Sequence, residues 1–171
     1  MLRKLRAEGG FGLIELLIAM VILNVGLLAV LAAVVSGQTA LRRASRIATA
    51  STLADAQMEL YRALTYSAIA LDTTAVDTTD TTYRNDAALG GTIANDITAS
   101  GGCLSTTTQC NPSRVLIGPD RGSYRVDTYI VSRTPSGGRP VKLVTVVVRD
   151  GTNLARTYVR QSSSFDASTG S

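Results

Sequence analysis

The sequence predicts an α+β fold in which a long N-terminal helix packs on a small antiparallel β-sheet. Two observations carry this prediction. No proline interrupts the chain from Phe11 to Tyr66, where an apolar stretch passes into an alanine-rich stretch with charged residues. After Asn111-Pro112, apolar and polar residues alternate with period two, which is typical of β-strands. Helical and extended patterns lie in separate parts of the chain, as in α+β proteins.

The first ten residues are basic and precede an apolar segment. Residues 1–10 contain Arg3, Lys4 and Arg6, and we interpret them as a leader peptide. Basic residues before a hydrophobic span stay in the cytoplasm, so we expect everything after Val35 to lie outside the cytoplasmic membrane.

Residues 11–35 are predicted to form a helix that is embedded in a membrane or in the core of a filament. About 20 apolar helical residues cross the bilayer core, and this segment contains one ionisable side chain, Glu15, and one amide, Asn24. A carboxylate within hydrocarbon costs about 2.5–3.5 kcal/mol on insertion scales. Glu15 is therefore predicted to have a cationic partner, and a free amine beside it would offset the cost of desolvation.

The residues around Glu15 form a specific pattern. Gly10-Phe11 followed by Leu13-Ile14-Glu15-Leu16-Leu17 resembles the prepilin cleavage signature of type IV pilins and secretion pseudopilins. The resemblance implies that a membrane peptidase cuts between Gly10 and Phe11 and methylates the new N-terminus. It also implies that Glu15 pairs with the Phe11 amine of a neighbouring subunit. Gly12 departs from the usual Thr or Ser, and we expect it to loosen the helix start without preventing recognition.

This segment has two more ordinary interpretations. A secretory signal peptide has an apolar core of about 7–15 residues with a small-residue cleavage site after it. Here the apolar run is longer, and the Gly9-Gly10 pair precedes it. A plain single-pass anchor is the other alternative, and neither requires Glu15.

Residues 36–66 are predicted to continue the helix in amphipathic form. Leu53, Ala56, Leu60 and Leu64 fall on one helical stripe, which we interpret as the face that packs on the sheet. A coiled-coil seam or a membrane-surface helix is the alternative. Three arginines, Arg42, Arg43 and Arg46, follow the apolar span and are expected to be solvated or to meet lipid headgroups or a neighbouring subunit.

Residues 67–114 are predicted to be an exposed, variable loop, because Thr, Asp, Ala, Asn and Gly dominate the segment from Leu71 to Gly102. Cys103 and Cys110 are expected to form a disulfide in an oxidising compartment, worth roughly 2.5 kcal/mol for so short a ring. The chain has no histidine to complete a zinc site, and its Asp–Thr repeats lack the order of a calcium loop. No metal or other cofactor is expected.

Residues 115–161 are predicted to form the sheet. Three strands are expected, at 124–131, 141–149 and 155–160, with turns at 135–138 and 150–153. The middle strand is apolar on both faces, which indicates that the helix covers one face and a loop or neighbour covers the other. The polar tail, residues 162–171, is expected to fray.

Composition argues against an enzyme. Without histidine, Ser-His-Asp and Cys-His arrangements cannot form. The glycine pairs of the chain lack the strand–loop–helix setting of a phosphate-binding loop.

The resemblance therefore predicts a structural subunit. Gly26-Leu27-Leu28-Ala29 and Gln57-Met58-Glu59-Leu60 resemble segments of minor pilins of the pilus-modification type and of small minor pseudopilins. The implied function is that of a minor type IV pilin in filament initiation, assembly or the tip. The implied partners are other pilin subunits, the prepilin peptidase, the inner-membrane assembly platform and, before assembly, the membrane. The implied location is the bacterial inner membrane, then an extracellular pilus or a periplasmic pseudopilus.

Two alternative functions remain open. One is a minor pseudopilin of a type II secretion system. The other is a pilus-displayed adhesin or DNA-binding module, in which exposed tyrosines would stack on bases. The ordinary alternative to DNA binding is that the basic residues keep the sheet soluble. The residues behind the binding alternative are Arg121, Tyr124, Arg125, Tyr129, Arg133, Arg139, Lys142, Arg149, Arg156, Tyr158 and Arg160.

Overall fold

The computed structural model describes residues 12–72, 75, 79–90 and 107–168. One helix, α1, runs from Leu13 to Arg62, as the proline-free stretch predicted, but it ends four residues before the predicted end at residue 66. The chain divides into two compact units, Met1–Arg43 and Ala44–Ser171. The first contains the apolar part of α1, and the second contains the rest of α1 with the sheet.

Within the described residues, the sheet has four antiparallel strands in the order of the sequence. They are β1 Ser113–Ile117, β2 Ser123–Arg133, β3 Val141–Asp150 and β4 Thr157–Asp166. The three predicted strands correspond to β2, β3 and β4, whereas β1 was missed.

The prediction of a frayed tail is wrong over residues 162–166, because β4 continues to Asp166. Pairing with β3 stabilises this serine-rich stretch. Ser162 lies opposite Thr145, and their hydroxyl oxygens are 2.9 Å apart. Phe165 packs against the main core. Cross-strand contacts thus override the weak strand preference of the sequence.

One face of the sheet packs on the second part of α1. Ala50, Ala54, Met58 and Tyr61 are fully buried there, at helical spacings of three and four residues. The predicted stripe is wrong at Ala56, which is exposed, while Leu53 and Leu64 are partly buried at the border of the core. From the sheet, this core receives Tyr124, Val126, Ile130, Val144, Val146 and Val148.

The opposite face is covered by residues 79–90, which we call the strap. The strap contains helix α2, Thr81–Arg84, and a 3-10 helix, Ala87–Leu89. Tyr83 stacks on Tyr129 with ring centroids 4.4 Å apart, and Leu89 is fully buried in the same cluster. The prediction that both faces of the middle strand are covered is confirmed. The prediction of an exposed loop is wrong over the strap.

Six charged side chains fasten the strap to the sheet. We call this alternating series the charge ladder: Asp80, Arg125, Asp127, Arg149, Asp86 and Arg160, each bonded to the next. Asp127 is fully buried at its centre. Asp80 and Asp86 also cap the two short helices of the strap, accepting hydrogen bonds from Thr82, Tyr83 and Ala88 N–H. Burial opposes ionisation of Asp80, but Arg125 and these N–H groups outweigh it and lower its pKa.

Candidate functional site

The first candidate site is the start of α1. The Gly12 carbonyl accepts hydrogen bonds from the backbone N–H of Glu15, at 3.0 Å, and of Leu16, at 3.2 Å. The helix therefore begins directly after Gly12. Glu15 lies in its first turn, where the helix dipole favours a negative charge. Gly10 and Phe11 lie outside the described residues, so the cleavage position and the Glu15 partner stay predictions.

The apolar part of α1 exposes its side chains on all sides. From Leu13, which is 80% exposed, to Val34, at 50%, every large apolar side chain of this stretch is at least half exposed. In the sequence, Glu15 is the one ionisable residue between Gly12 and Leu41. An apolar surface of this extent indicates a membrane or a protein partner. The helix is also long and apolar enough to cross a membrane.

The two polar groups within the apolar stretch differ in one respect. The Asn24 side chain donates a hydrogen bond of 2.9 Å to the Met20 carbonyl, one turn earlier. Its polarity is therefore partly satisfied within its own helix. For the Glu15 carboxylate, no side-chain hydrogen bond or ion pair occurs among the described residues.

The three arginines beyond the apolar stretch do not share one environment. Arg42 and Arg43 are exposed. Arg46 instead donates to the Asp150 carboxylate, at 3.2 Å, and to the Tyr158 hydroxyl, at 3.0 Å. Hydrogen bonding to Tyr158 is the main cause of its raised pKa. Arg46 thus binds the sheet of its own unit.

Several of the basic and aromatic residues of the sheet are buried and so cannot contribute to a nucleic-acid interface. Tyr124 and Tyr129 are fully buried, so neither ring can stack on a base. Arg125 and Arg149 belong to the charge ladder.

Lys142 is also internal to the domain. Its ammonium donates to the carbonyls of Tyr66, at 2.8 Å, and Ile69, at 2.7 Å, and burial lowers its pKa. The predicted set is therefore mostly structural, and its exposed members are Arg121, Arg133, Arg139, Arg156 and Arg160.

The described residues include only one of the two cysteines of the predicted disulfide. Cys110 is buried against Ala70, and its carbonyl accepts a hydrogen bond of 2.9 Å from Asp72 N–H. Cys103 lies outside the described residues, so its pairing with Cys110 stays a prediction. Among the described residues, no group of three His, Cys, Asp or Glu side chains could hold a metal ion.

Sequence reasoning missed a cavity of about 260 Å³ beside the end of β4. Its lining is mixed: Leu64, Ile69 and Phe165 are apolar, and Arg62, Tyr66, Ser163, Ser164 and Asp166 are polar or charged. The lining residues come from segments about 100 positions apart in the sequence, so no local sequence pattern indicates the cavity.

Comparison with known proteins gave one match. Residues 5–31 match the family model described as the prokaryotic N-terminal methylation motif. No curated protein and no solved structure matched the chain. The matched residues include Gly10, Phe11, Glu15 and most of the exposed apolar surface of α1. The chain therefore carries the N-terminal methylation motif of type IV pilin-like proteins and pseudopilins, on an α+β architecture of the type IV pilin kind.

Proposed function

We propose that this chain is a minor pilin, a structural subunit that acts in the initiation, assembly or tip of a pilus-like filament. The observation that carries the proposal is the exposed apolar helix surface with Glu15 as its single ionisable group, inside a matched N-terminal methylation motif. A membrane covers this surface before assembly, and neighbouring pilin subunits cover it afterwards. Placement as a minor subunit rests on the resemblance at residues 26–29 and 57–60.

Processing supplies the partner that Glu15 needs. A prepilin peptidase that cuts between Gly10 and Phe11 creates an α-amine at the start of α1. In an apolar environment, the attraction between this amine and the carboxylate of an adjacent subunit offsets the desolvation of both charges. The same contact selects a neighbouring subunit over plain lipid, because lipid acyl chains offer no counter-charge. An inner-membrane assembly platform would bring the two subunits together.

A minor pseudopilin of a type II secretion system uses the same motif and is the second candidate. Linkage to a retraction ATPase would favour a pilus, and linkage to a secretin cluster would favour the secretion system. A DNA-binding module has less support, because two of the three tyrosines that would stack on bases, Tyr124 and Tyr129, are fully buried. Salt-dependent binding of DNA by the full chain would reverse that judgement.

The proposal is tested by replacing Glu15. We expect Glu15→Ala to insert into the membrane at wild-type levels, because it removes a charge from the span. We expect it to be depleted from sheared fibres, since a broken buried pair costs about 3–5 kcal/mol. Mass spectrometry of the wild-type protein should show a methylated Phe11 as the N-terminus.

Asn24→Ala is the matched control. It also removes a polar group from the span, but that group bonds within its own helix, so we expect normal incorporation into fibres. Normal incorporation of Glu15→Ala at equal membrane levels would contradict the proposed role of Glu15. An unprocessed N-terminus in cells with active peptidase would contradict the filament assignment itself.

A further inference from the structure

The outer edge of β4 directs backbone groups away from the sheet. In β3, alternate residues face β2 and β4, and Asp150 is one that faces β4, because its N–H donates to the Arg156 carbonyl at 2.9 Å. The other even-numbered residues of β3 therefore also face β4. Their partners are Val159, Gln161, Ser163 and Phe165. The residues between these, Arg160, Ser162 and Ser164, direct their N–H and C=O groups outward.

This edge lacks the features that prevent strand pairing. Edge strands of soluble proteins are commonly short, charged, bulged or interrupted by proline. From Gln161 to Phe165, β4 has no charge and no proline, and its register with β3 shifts only near Val148 and Arg149. The strand is ten residues long, and in the part of the chain that the structure describes, no strand pairs with its outer side.

The cavity lies beside the same stretch of β4. Ser163 and Phe165 point towards the α1 face of the sheet, and both line the cavity together with Leu64 and Ile69. A strand added next to β4 would present alternate side chains to this face. The side chain beside Ser163 would lie next to the cavity. A free backbone edge with an adjoining pocket is the arrangement by which sheets bind extended peptides.

We propose that the outer edge of β4 binds an extended, uncharged segment of a neighbouring filament subunit. The segment adds as a further strand, accepts and donates hydrogen bonds at Ser162 and Ser164, and places one side chain in the cavity. This inference rests on the proposed function, because the partner is a subunit that the filament brings into contact.

Hydrogen exchange of single amides in the full chain tests the inference. The exchange of the Ser162 and Ser164 amides is compared between protein in detergent micelles and protein in sheared fibres. We expect both amides to exchange at least about tenfold more slowly in fibres. The Gln161 and Ser163 amides, which bond to β3, should be slow in both samples and serve as internal controls.

A proline variant separates strand addition from simple coverage. Ser164→Pro removes one outward N–H and no bond to β3, and proline is tolerated at an outward-facing edge position. Ser164→Ala is the matched control because it keeps the N–H. We expect a fast Ser162 amide in Ser164→Pro fibres and a slow one in Ser164→Ala fibres, with equal thermal unfolding. Exclusion of only the proline variant from fibres would equally support the inference.

Two results would overturn the inference. One is fast exchange at Ser162 and Ser164 in wild-type fibres, and the other is a protected Ser162 amide in Ser164→Pro fibres. Either leaves the filament assignment intact. Absence of the wild-type protein from fibres would instead defeat the proposed function, and this inference with it.

Discussion

Replacing Asp127 tests how strongly the charge ladder holds the fold together. One carboxylate oxygen accepts hydrogen bonds from Arg125 Nε and from the Ser113 hydroxyl, both at 2.7 Å, and the other accepts from Arg149 Nε at 3.1 Å. The side chains of Arg125 and Arg149 are less than a tenth exposed, and that of Asp127 is not exposed at all. Asp127→Asn keeps the shape of the residue, so the perturbation is almost purely electrostatic.

The expected loss follows from the partners left behind. The asparagine keeps one acceptor oxygen, but its amide group presents N–H donors to a guanidinium that is also a donor. The ladder, balanced with three acids and three arginines, becomes net positive. Breaking a buried ion pair by removing one partner costs about 3–5 kcal/mol. We therefore expect Asp127→Asn to lower the free energy of unfolding by about that amount.

Urea unfolding of the full chain in micelles, followed by tyrosine fluorescence, measures this loss. All six tyrosines lie at or beyond Tyr61, so the signal reports on the Ala44–Ser171 unit. Asp55→Asn, at an exposed position of α1, is the matched control and should change the stability by less than about 0.5 kcal/mol. A loss below about 1 kcal/mol for Asp127→Asn would refute the view that the ladder holds the strap.

Three further predictions address the tyrosine stack, the acid response and the disulfide. Tyr83→Phe should lower the free energy of unfolding by about 0.5–1.5 kcal/mol, because it loses a buried 2.6 Å hydrogen bond to the Thr128 carbonyl. Tyr129→Phe should lower it by less, since the buried Tyr129 hydroxyl lies near the Arg149 guanidinium without a hydrogen bond of good geometry in the described part of the chain. Urea unfolding compares the two variants, and equal losses would contradict this reasoning. Hydrogen bonds from Thr152 and Tyr158 hold the pKa of Asp150 well below its usual range, so its contribution to stability is present above about pH 4 and is lost as the pH falls further towards the folded-state pKa. Asp150→Asn should weaken this acid dependence in thermal unfolding between about pH 5 and 2, and an unchanged slope would count against it. Alkylation before reduction should label neither Cys103 nor Cys110 in protein from the cell envelope, whereas labelling of both would rule out the disulfide.

The sequence indicated the helix and the central strands because their signals are local. A long proline-free apolar stretch and a run of valines each determine their secondary structure within a few neighbouring residues. β1 and the end of β4 lack such a signal. Val115 and Ile117 of β1 are largely exposed, and β4 ends in serines, so pairing across the sheet decides both.

The strap shows a second limit of sequence reasoning. Its many polar residues predicted an exposed loop, because a segment poor in large apolar residues buries little area. Tyr83 and Leu89 nevertheless pack into a buried cluster with the sheet, and its aspartates are balanced by arginines that follow at a distance of about 40 to 75 residues. Asp80 and Asp86, each preceding a short helix, were the local cap signals that could have indicated structure there. Their arginine partners could not be identified without the register of the sheet.

The exposed apolar surface between Leu13 and Val35 also has a consequence for energetics. Lipid acyl chains and the side chains of neighbouring helices are about equally apolar, so hydrophobic transfer contributes little to a choice between them. In the proposed filament, a subunit that moves from the bilayer to the fibre passes from one apolar environment to another, so the free energy of this transfer is close to zero. A single ionic contact of a few kcal/mol can then set its direction, and a comparable input of work can reverse it. Reversible growth and shortening of a fibre would follow, because a subunit has nearly the same free energy in the bilayer and in the fibre.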